Sequence, residues 1–415
     1  MTSSTPPRPR LAVWAYACNP TLGSDPGATW GYVRALSEHA DLVLFHSPED
    51  QSGLERWKAE HPGAPIQLRL VDEPRWSQVL QPGYRLHRQL RFVVYTAWLQ
   101  RAYRQTRACQ STEHFDAVAH ASYGNYWLPS PVRKLGLPSL WGPLGGGVWT
   151  PFRLWPTLGV VGVVAELERL VGLTVAALLP ATRRTQREAT VAIVETEETL
   201  RRLPRSRRGD AVIVNRAAII DEASPEVGQP AENVASEPYE YLFTSALWGK
   251  KGPRLAVEAL KYTDPRARLT FVNDGYERRR LERRARRLGV ADRVRFLGRV
   301  PREELFARMR TATGLVFTGL REEGGVALAE SMQQGLPVVV LGHGGAGLIA
   351  RGAVDPRRVQ IVAPSTPRRT AQRLGEAMTR LHDAPPERTP NLDRIPHLQE
   401  VRRAVDLARP RSAAS

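Results

Sequence analysis

From residue 11 to about residue 381, short apolar runs of strand length alternate with longer segments of helical period, a pattern that few folds accommodate. The first cycle is a strand-like 11–18, a turn-forming 19–27, a helical 30–38 and a second strand 42–45, which opens a βαβ unit. Residues 115–120 and 137–141 read as further strands, the latter running into Gly142-Pro143-Leu144-Gly145-Gly146-Gly147. So much glycine directly after a strand means a sharp turn or a close backbone approach. Residues 154–189 read as one or two helices and 192–195 as a strand, after which 201–238 shift toward Pro, Glu, Ser and Asn, as an interdomain linker does. A second alternation then begins, with strands at 241–245, 268–272, 294–296, 314–317 and 337–341 and helices at 253–260, 277–288, 302–309, 326–333 and 368–381. This predicts an α/β chain with parallel sheets covered by helices on both faces, where ligands sit at the carboxyl ends of the strands. The 415 residues suit two such domains. The expected division is a disordered 1–10, an N-terminal domain 11–215, a linker region 216–238, a C-terminal domain 239–385, and a tail 386–415 that crosses back to the first domain.

Charge narrows the partners. The formal net charge is +17, almost all from arginine, since lysine occurs only at 58, 134, 250, 251 and 261. Anionic ligands or surfaces are therefore expected. Nucleic acid is not, because the basic run 278–287 reads as a solvated helix face with no aromatic platform interleaved. Residues 84–107 place Leu86, Leu90, Val93, Val94, Ala97 and Trp98 at near-helical spacing among arginines. That segment reads first as a surface helix covering a sheet and second as a face lying on anionic lipid. The two cysteines, Cys18 and Cys109, offer no metal spacing and suit a reducing compartment. No export signal or membrane span is expected: the start is Ser/Pro/Arg-rich, and the apolar runs 154–165 and 170–182 are too short. The expected location is the cytoplasm, peripheral to the inner face of the membrane if the basic helix lies on lipid.

The segment 321–335, REEGGVALAESMQQG, is the most informative. Glu322 and Glu330 stand eight positions apart, with Gly324 and Gly325 between a strand and a helix starting at Val326. A helix start exposes free N–H groups and the positive end of a dipole, which suits phosphate, and the carboxylates could hold hydroxyls. Carboxylates early in a helix are equally ordinary without any ligand. This segment resembles the E-x7-E signature of the family-4 retaining glycosyltransferases, which have the two-Rossmann GT-B architecture with parallel sheets facing across a cleft. SALWGKKG at 245–252 is similar to the family's strand-loop-K-G element, and 272–305 resembles the stretch between phosphate loop and base pocket. In the N-terminal half, CNPTLGSDPGATWGY (18–32), FDAVAHASYGNYWLP (115–129), WGPLGGGVWTP (141–151) and VETEETLRRLP (194–204) resemble a bacterial subgroup.

The resemblance implies a glycosyltransferase that moves a sugar from a nucleotide diphosphate sugar to an acceptor hydroxyl with retention, in polysaccharide or glycolipid assembly. It implies that Lys251, with Lys250 as a neighbour able to substitute, neutralises the donor pyrophosphate. Glu330 would hold the ribose and Glu322 the sugar near its reacting carbon, with Gly324, Gly325 and Val326 completing the cradle. Arg299 and Val300 would line the base pocket, His120 would handle or orient a hydroxyl proton, and Gly23, Ser24, Gly145, Gly146 and Gly147 would shape the acceptor side. No cofactor is expected, and no metal, since the chain lacks an Asp-x-Asp triplet. A lipid-linked acceptor would follow naturally from membrane contact. Two positions depart from the family: Ala246 stands where an arginine is common, and Thr29 where a second loop glycine is common. Ala246 raises the alternative of a sugar-nucleotide-binding protein with weakened turnover. Gly342 to Gly347 matches GxGxxG after a strand and raises an NAD(P)-dependent oxidoreductase, although no acidic residue ends a following strand at the right distance.

Overall fold

A computed structural model describes residues 8–77, 90–220, 238–384 and 388–409. The residues 1–7, 84–89, 221–237, 385–387 and 410–415 of the expected N-terminus, basic helix, linker and tail lie outside that set. The chain forms two compact units, one from Met1–Gly147, Thr174–Asp221 and Ile395–Ser415, the other from Val148–Leu173 and Glu222–Arg394. Residues 148–173, read above as part of the N-terminal domain, thus pack with the second unit, and the helix Ile395–Leu407 packs with the first.

The first unit holds seven strands: β1 (Arg10–Ala15), β2 (Asp41–His46), β3 (Ile66–Leu70), β4 (Ala117–His120), β5 (Ser139–Leu144), β6 (Val191–Val194) and β7 (Val212–Ile213). All neighbours are parallel, in the order β3-β2-β1-β4-β5-β6-β7. A strand buried on both faces needs apolar side chains in succession, and β1, RLAVWA, supplies them: every residue after Arg10 is buried. The helix Leu90–Cys109 lays Val94, Tyr95, Trp98, Leu99 and Ala102 onto one face of this sheet, against Trp14, Phe45 and Val118. Trp98 Nε1 donates to the Val71 carbonyl at 2.9 Å. Of the expected apolar positions of that basic helix, Val94 and Trp98 are therefore taken up by the sheet, whereas Val93 is exposed. On the other face, the Ile395–Leu407 helix adds Val401, Ala404 and Val405 to a core with Leu36, Ile193 and Val214.

The second unit repeats the plan with β8 (Glu240–Phe243), β9 (Arg268–Phe271), β10 (Val294–Phe296), β11 (Gly314–Phe317), β12 (Val338–Leu341) and β13 (Val359–Val362). The parallel order is β10-β9-β8-β11-β12-β13. Its core joins Phe243, Phe271 and Leu255 to Leu154 and Leu158 from the 148–173 segment. In each sheet the strand order reverses once, between β1 and β4 and between β8 and β11, and such reversals open the crevices in which ligands of doubly wound sheets bind.

Candidate functional site

The second unit concentrates its polar chemistry at the carboxyl ends of β8 and β11, the two strands that flank its reversal. Beyond β8 the chain makes a tight turn, Gly249–Lys251, capped by Gly252 with φ +67°. A Cβ at Gly252 would lie 2.2 Å from the Thr318 carbonyl oxygen, so only glycine fits. The Thr318 hydroxyl donates to the Gly252 carbonyl at 2.9 Å, and the Lys250 carbonyl accepts from the Leu320 N–H at 2.9 Å. These bonds fasten the lysine turn to the loop beyond β11. As a result Lys251 Nζ donates to Glu322 Oε2, with both side chains mostly buried. Lys250 points elsewhere, its ammonium 5.3 Å from the centre of the Trp248 ring.

Gly325, at φ +71°, turns the chain into the helix Val326–Gln333. Its N–H reaches toward Glu322 Oε1 at 3.4 Å. Gly324, Gly325 and Val326 stand together at that helix start, and Glu330 lies just over one turn in, buried on the same helix. Glu330 Oε1 accepts from Arg302 Nη2 at 2.8 Å, a partner the sequence reading did not single out. Arg299 is exposed and Val300 half-buried in the loop beyond β10, two residues before the helix Arg302–Thr311. Among the described residues, no side-chain hydrogen bond or ion pair joins Arg299 to Glu330 or to Lys251, whose partners are Arg302 and Glu322.

The glycine run 342–347 supports the same loop. Gly345 N–H donates to the Glu322 carbonyl at 2.8 Å, and a Cβ at Gly344 would meet that carbonyl oxygen at 2.5 Å. The 148–173 segment braces it from another side: Val148 N–H donates to Glu323 Oε1 at 2.9 Å, and the Trp149 carbonyl accepts from His343 Nε2 at 2.6 Å. Arg321 Nη1 lies 2.8 Å from Glu166 Oε1, an ion contact rather than an aligned hydrogen bond, and Glu166 is buried. Glu166, Arg321, Glu323 and His343 were not picked out from sequence. The only signal was the charge of Arg321 and Glu323 beside Glu322.

His120 ends β4 and is almost wholly buried. Its Nδ1 takes the Ser130 hydroxyl at 3.0 Å, its Nε2 donates to the Ser122 carbonyl at 3.0 Å, and the Tyr95 hydroxyl lies against Nε2. Burial pushes its pKa down to about 4, so the imidazole is neutral at physiological pH. Gly23 and Ser24 lead into the helix Ser24–Ser37, Ser24 at φ +61°. Gly145, Gly146 and Gly147 follow β5 and are buried, and Gly147 N–H donates to the Thr199 hydroxyl at 3.1 Å. Thr29, where a glycine was expected by resemblance, has a use: its hydroxyl accepts from Arg216 Nη1 at 2.9 Å. Arg216 also binds Glu195 at 2.7 Å. Burial works against its charge, but the Glu195 and Asp25 carboxylates outweigh it and raise its pKa.

Residues 228–387 match the family described as glycosyl transferases group 1. That match falls within the second unit and is similarity to the group 1 glycosyltransferases over that stretch. The lysine turn, the Glu322 loop and the Glu330 helix all lie within that group 1 stretch. A curated relative, 2-deoxystreptamine glucosyltransferase of Streptomyces kanamyceticus, is 34% identical over 106 residues, which span 25% of this chain and 27% of the relative. Solved structures resemble the whole chain in fold. HepE of Anabaena, determined with UDP and glucose, is 13% identical with a TM-score of 0.54, over 96% of this chain and 99% of its own. Sucrose-phosphate synthase of Thermosynechococcus elongatus is 18% identical with a TM-score of 0.57, over 96% and 94%. The fold is therefore GT-B.

Proposed function

We propose that the protein transfers a glycosyl group from a nucleoside diphosphate sugar to an acceptor hydroxyl with retention. The observation that carries this reading is the Lys251–Glu322 pair at the strand-order reversal of the second unit, beside the helix start at Gly325. A pyrophosphate entering there meets an ammonium and the positive end of a helix dipole, both of which favour the negative charge that grows on the leaving phosphate. Lys251 moves from Glu322 to the pyrophosphate, and Glu322 is released to accept from sugar hydroxyls. Glu330 takes the ribose hydroxyls with its second oxygen while Arg302 holds the first. Uridine is the base we favour, because HepE was solved with UDP.

His120, expected to handle or orient a hydroxyl, instead has both ring nitrogens held by Ser130, Ser122 and Tyr95, so we assign it the positioning of the end of β4; proton uptake is disfavoured by the burial that lowers its pKa. The 23–24 and 145–147 loops shape the acceptor side, and the acceptor belongs to polysaccharide or glycolipid assembly. The NAD(P) alternative is weakened by the bonding of the 342–347 loop, since the Gly345 N–H that a dinucleotide pyrophosphate would need is given to the Glu322 carbonyl. The test is release of UDP from UDP-glucose with a panel of hydroxyl acceptors. Turnover lowered on the order of a hundredfold by Lys251→Ala supports the proposal, and tight donor binding without turnover on any acceptor favours the binding-protein alternative set up by Ala246.

A further inference from the structure

The helix Gly159–Leu178 is apolar on its outer as well as its inner side, with Leu173 buried, and its one exposed carboxylate is Glu168. A helix on a globular surface turns its charges to water and its apolar stripe inward. Here Glu166 is buried, tied to Arg321 and the Thr150 hydroxyl, whereas Val160, Val164, Leu167, Val171, Val175 and Leu178 are exposed. Their spacings of four, three, four, four and three residues put all six on one face, with Val160 at 74% and Val171 at 64% exposure. Phe152, just before the helix, is also 74% exposed. A contiguous apolar face of this extent on a water-soluble surface marks an interaction site.

Charge identifies what covers it. The start of the helix lies against the most basic element of the chain: a Cβ at Gly159 would come 3.0 Å from Arg280 Nη1, in the helix Arg278–Leu288, RRRLERRARRL. In that helix Arg279, Arg283, Arg286 and Arg287 are exposed. A second copy of the chain would bring these arginines against their like. An anionic bilayer instead offers acyl chains to the valine face and headgroup phosphates to the arginines. No helix among the described residues is long and apolar enough to cross a membrane, which leaves the geometry of a helix lying in the interface.

We propose that the Gly159–Leu178 face, with the neighbouring arginine helix, is a docking surface for an anionic phospholipid bilayer. This rests on exposure and charge and is independent of the donor chemistry. Because Glu166 on the inner side of the same helix touches Arg321 beside Glu322, docking also seats the lipid surface against the brace of the donor loop. The experiment is co-sedimentation of the full-length protein with phosphatidylcholine vesicles and with vesicles containing roughly one-third phosphatidylglycerol, at low and high salt. The wild type should partition onto the anionic vesicles at low salt. Val164→Glu/Val171→Glu should lower that partition by at least about tenfold, as should Arg283→Glu/Arg287→Glu. Val164→Ser/Val171→Ser, which introduces no charge, should weaken partition in the same direction, and a cooperative thermal melt of each variant by circular dichroism checks that it is folded. Absence of partition onto anionic vesicles at low salt would overturn the proposal. So would partition indifferent to both valine pairs, or a wild-type dimer by light scattering that either valine pair dissolves.

Discussion

Lys250 and Lys251 are neighbours in sequence, yet the turn they share aims one at Glu322 and the other at an indole ring. The two should therefore separate in kinetics. Lys251→Ala is expected to reduce kcat/KM for the donor on the order of a hundredfold, as loss of a charge facing the leaving phosphate does, while Lys250→Ala costs less than about tenfold. Steady-state UDP release measures both. Glu330→Gln removes a partly exposed pair with Arg302, so its stability cost should stay below about 1 kcal/mol while the donor KM rises. His120 gives a pH prediction. Its folded pKa of about 4 lies below the unfolded value, so between those two values the unfolded chain binds more protons. Stability should therefore be complete above about pH 6.5 and fall as the pH drops toward 4, by roughly 3 kcal/mol in all. Urea melts across that range should show this slope, reduced in His120→Gln. Sequence placed Lys251, Glu322 and Glu330 because spacing along one loop and one helix is a local property. It did not find Arg302, Arg216 or Glu166, whose partners lie 28, 21 and 155 positions away and are brought close only by packing.

At the scale of elements, the alternation of strands and helices was legible wherever burial on both faces forced an unbroken apolar run. Residues 294–296 and 314–317 fall where they were expected. β3 escaped notice because it is an edge strand whose side chains are largely exposed, IQLRL, and β7 because two residues make no period. The helix Ile395–Leu407 had a readable apolar spacing at Leu398, Val401 and Val405, masked by its arginines. The tight element is the turn at Gly252. Gly252→Ala forces a Cβ against the Thr318 carbonyl in a backbone region that disfavours side chains, and should cost at least roughly 1–3 kcal/mol. Chemical denaturation checks it, and the variant should lose donor affinity with the Lys251 turn.

At the scale of the molecule, each unit borrows a segment that sequence order would assign to the other. Removing the chain after Arg394, where the second unit ends, takes Val401, Ala404, Val405 and Ala408 out of the first unit's core. At about 1.5–2 kcal/mol per buried valine and less per alanine, the loss is roughly 5 kcal/mol. Calorimetry of the truncated protein should show an earlier transition for the first unit, with the UDP-stabilised transition of the second retained. The most direct test of the account is a thermal-shift comparison of UDP, GDP, dTDP, ADP and NAD(P) on the wild type, Lys251→Ala and Glu330→Ala. Binding at a hundred times Kd adds roughly 2.7 kcal/mol, a visible shift. The account predicts that a nucleoside diphosphate, UDP first, stabilises the wild type and neither variant; stabilisation by NAD(P) alone, or by UDP equally in Lys251→Ala, would contradict it.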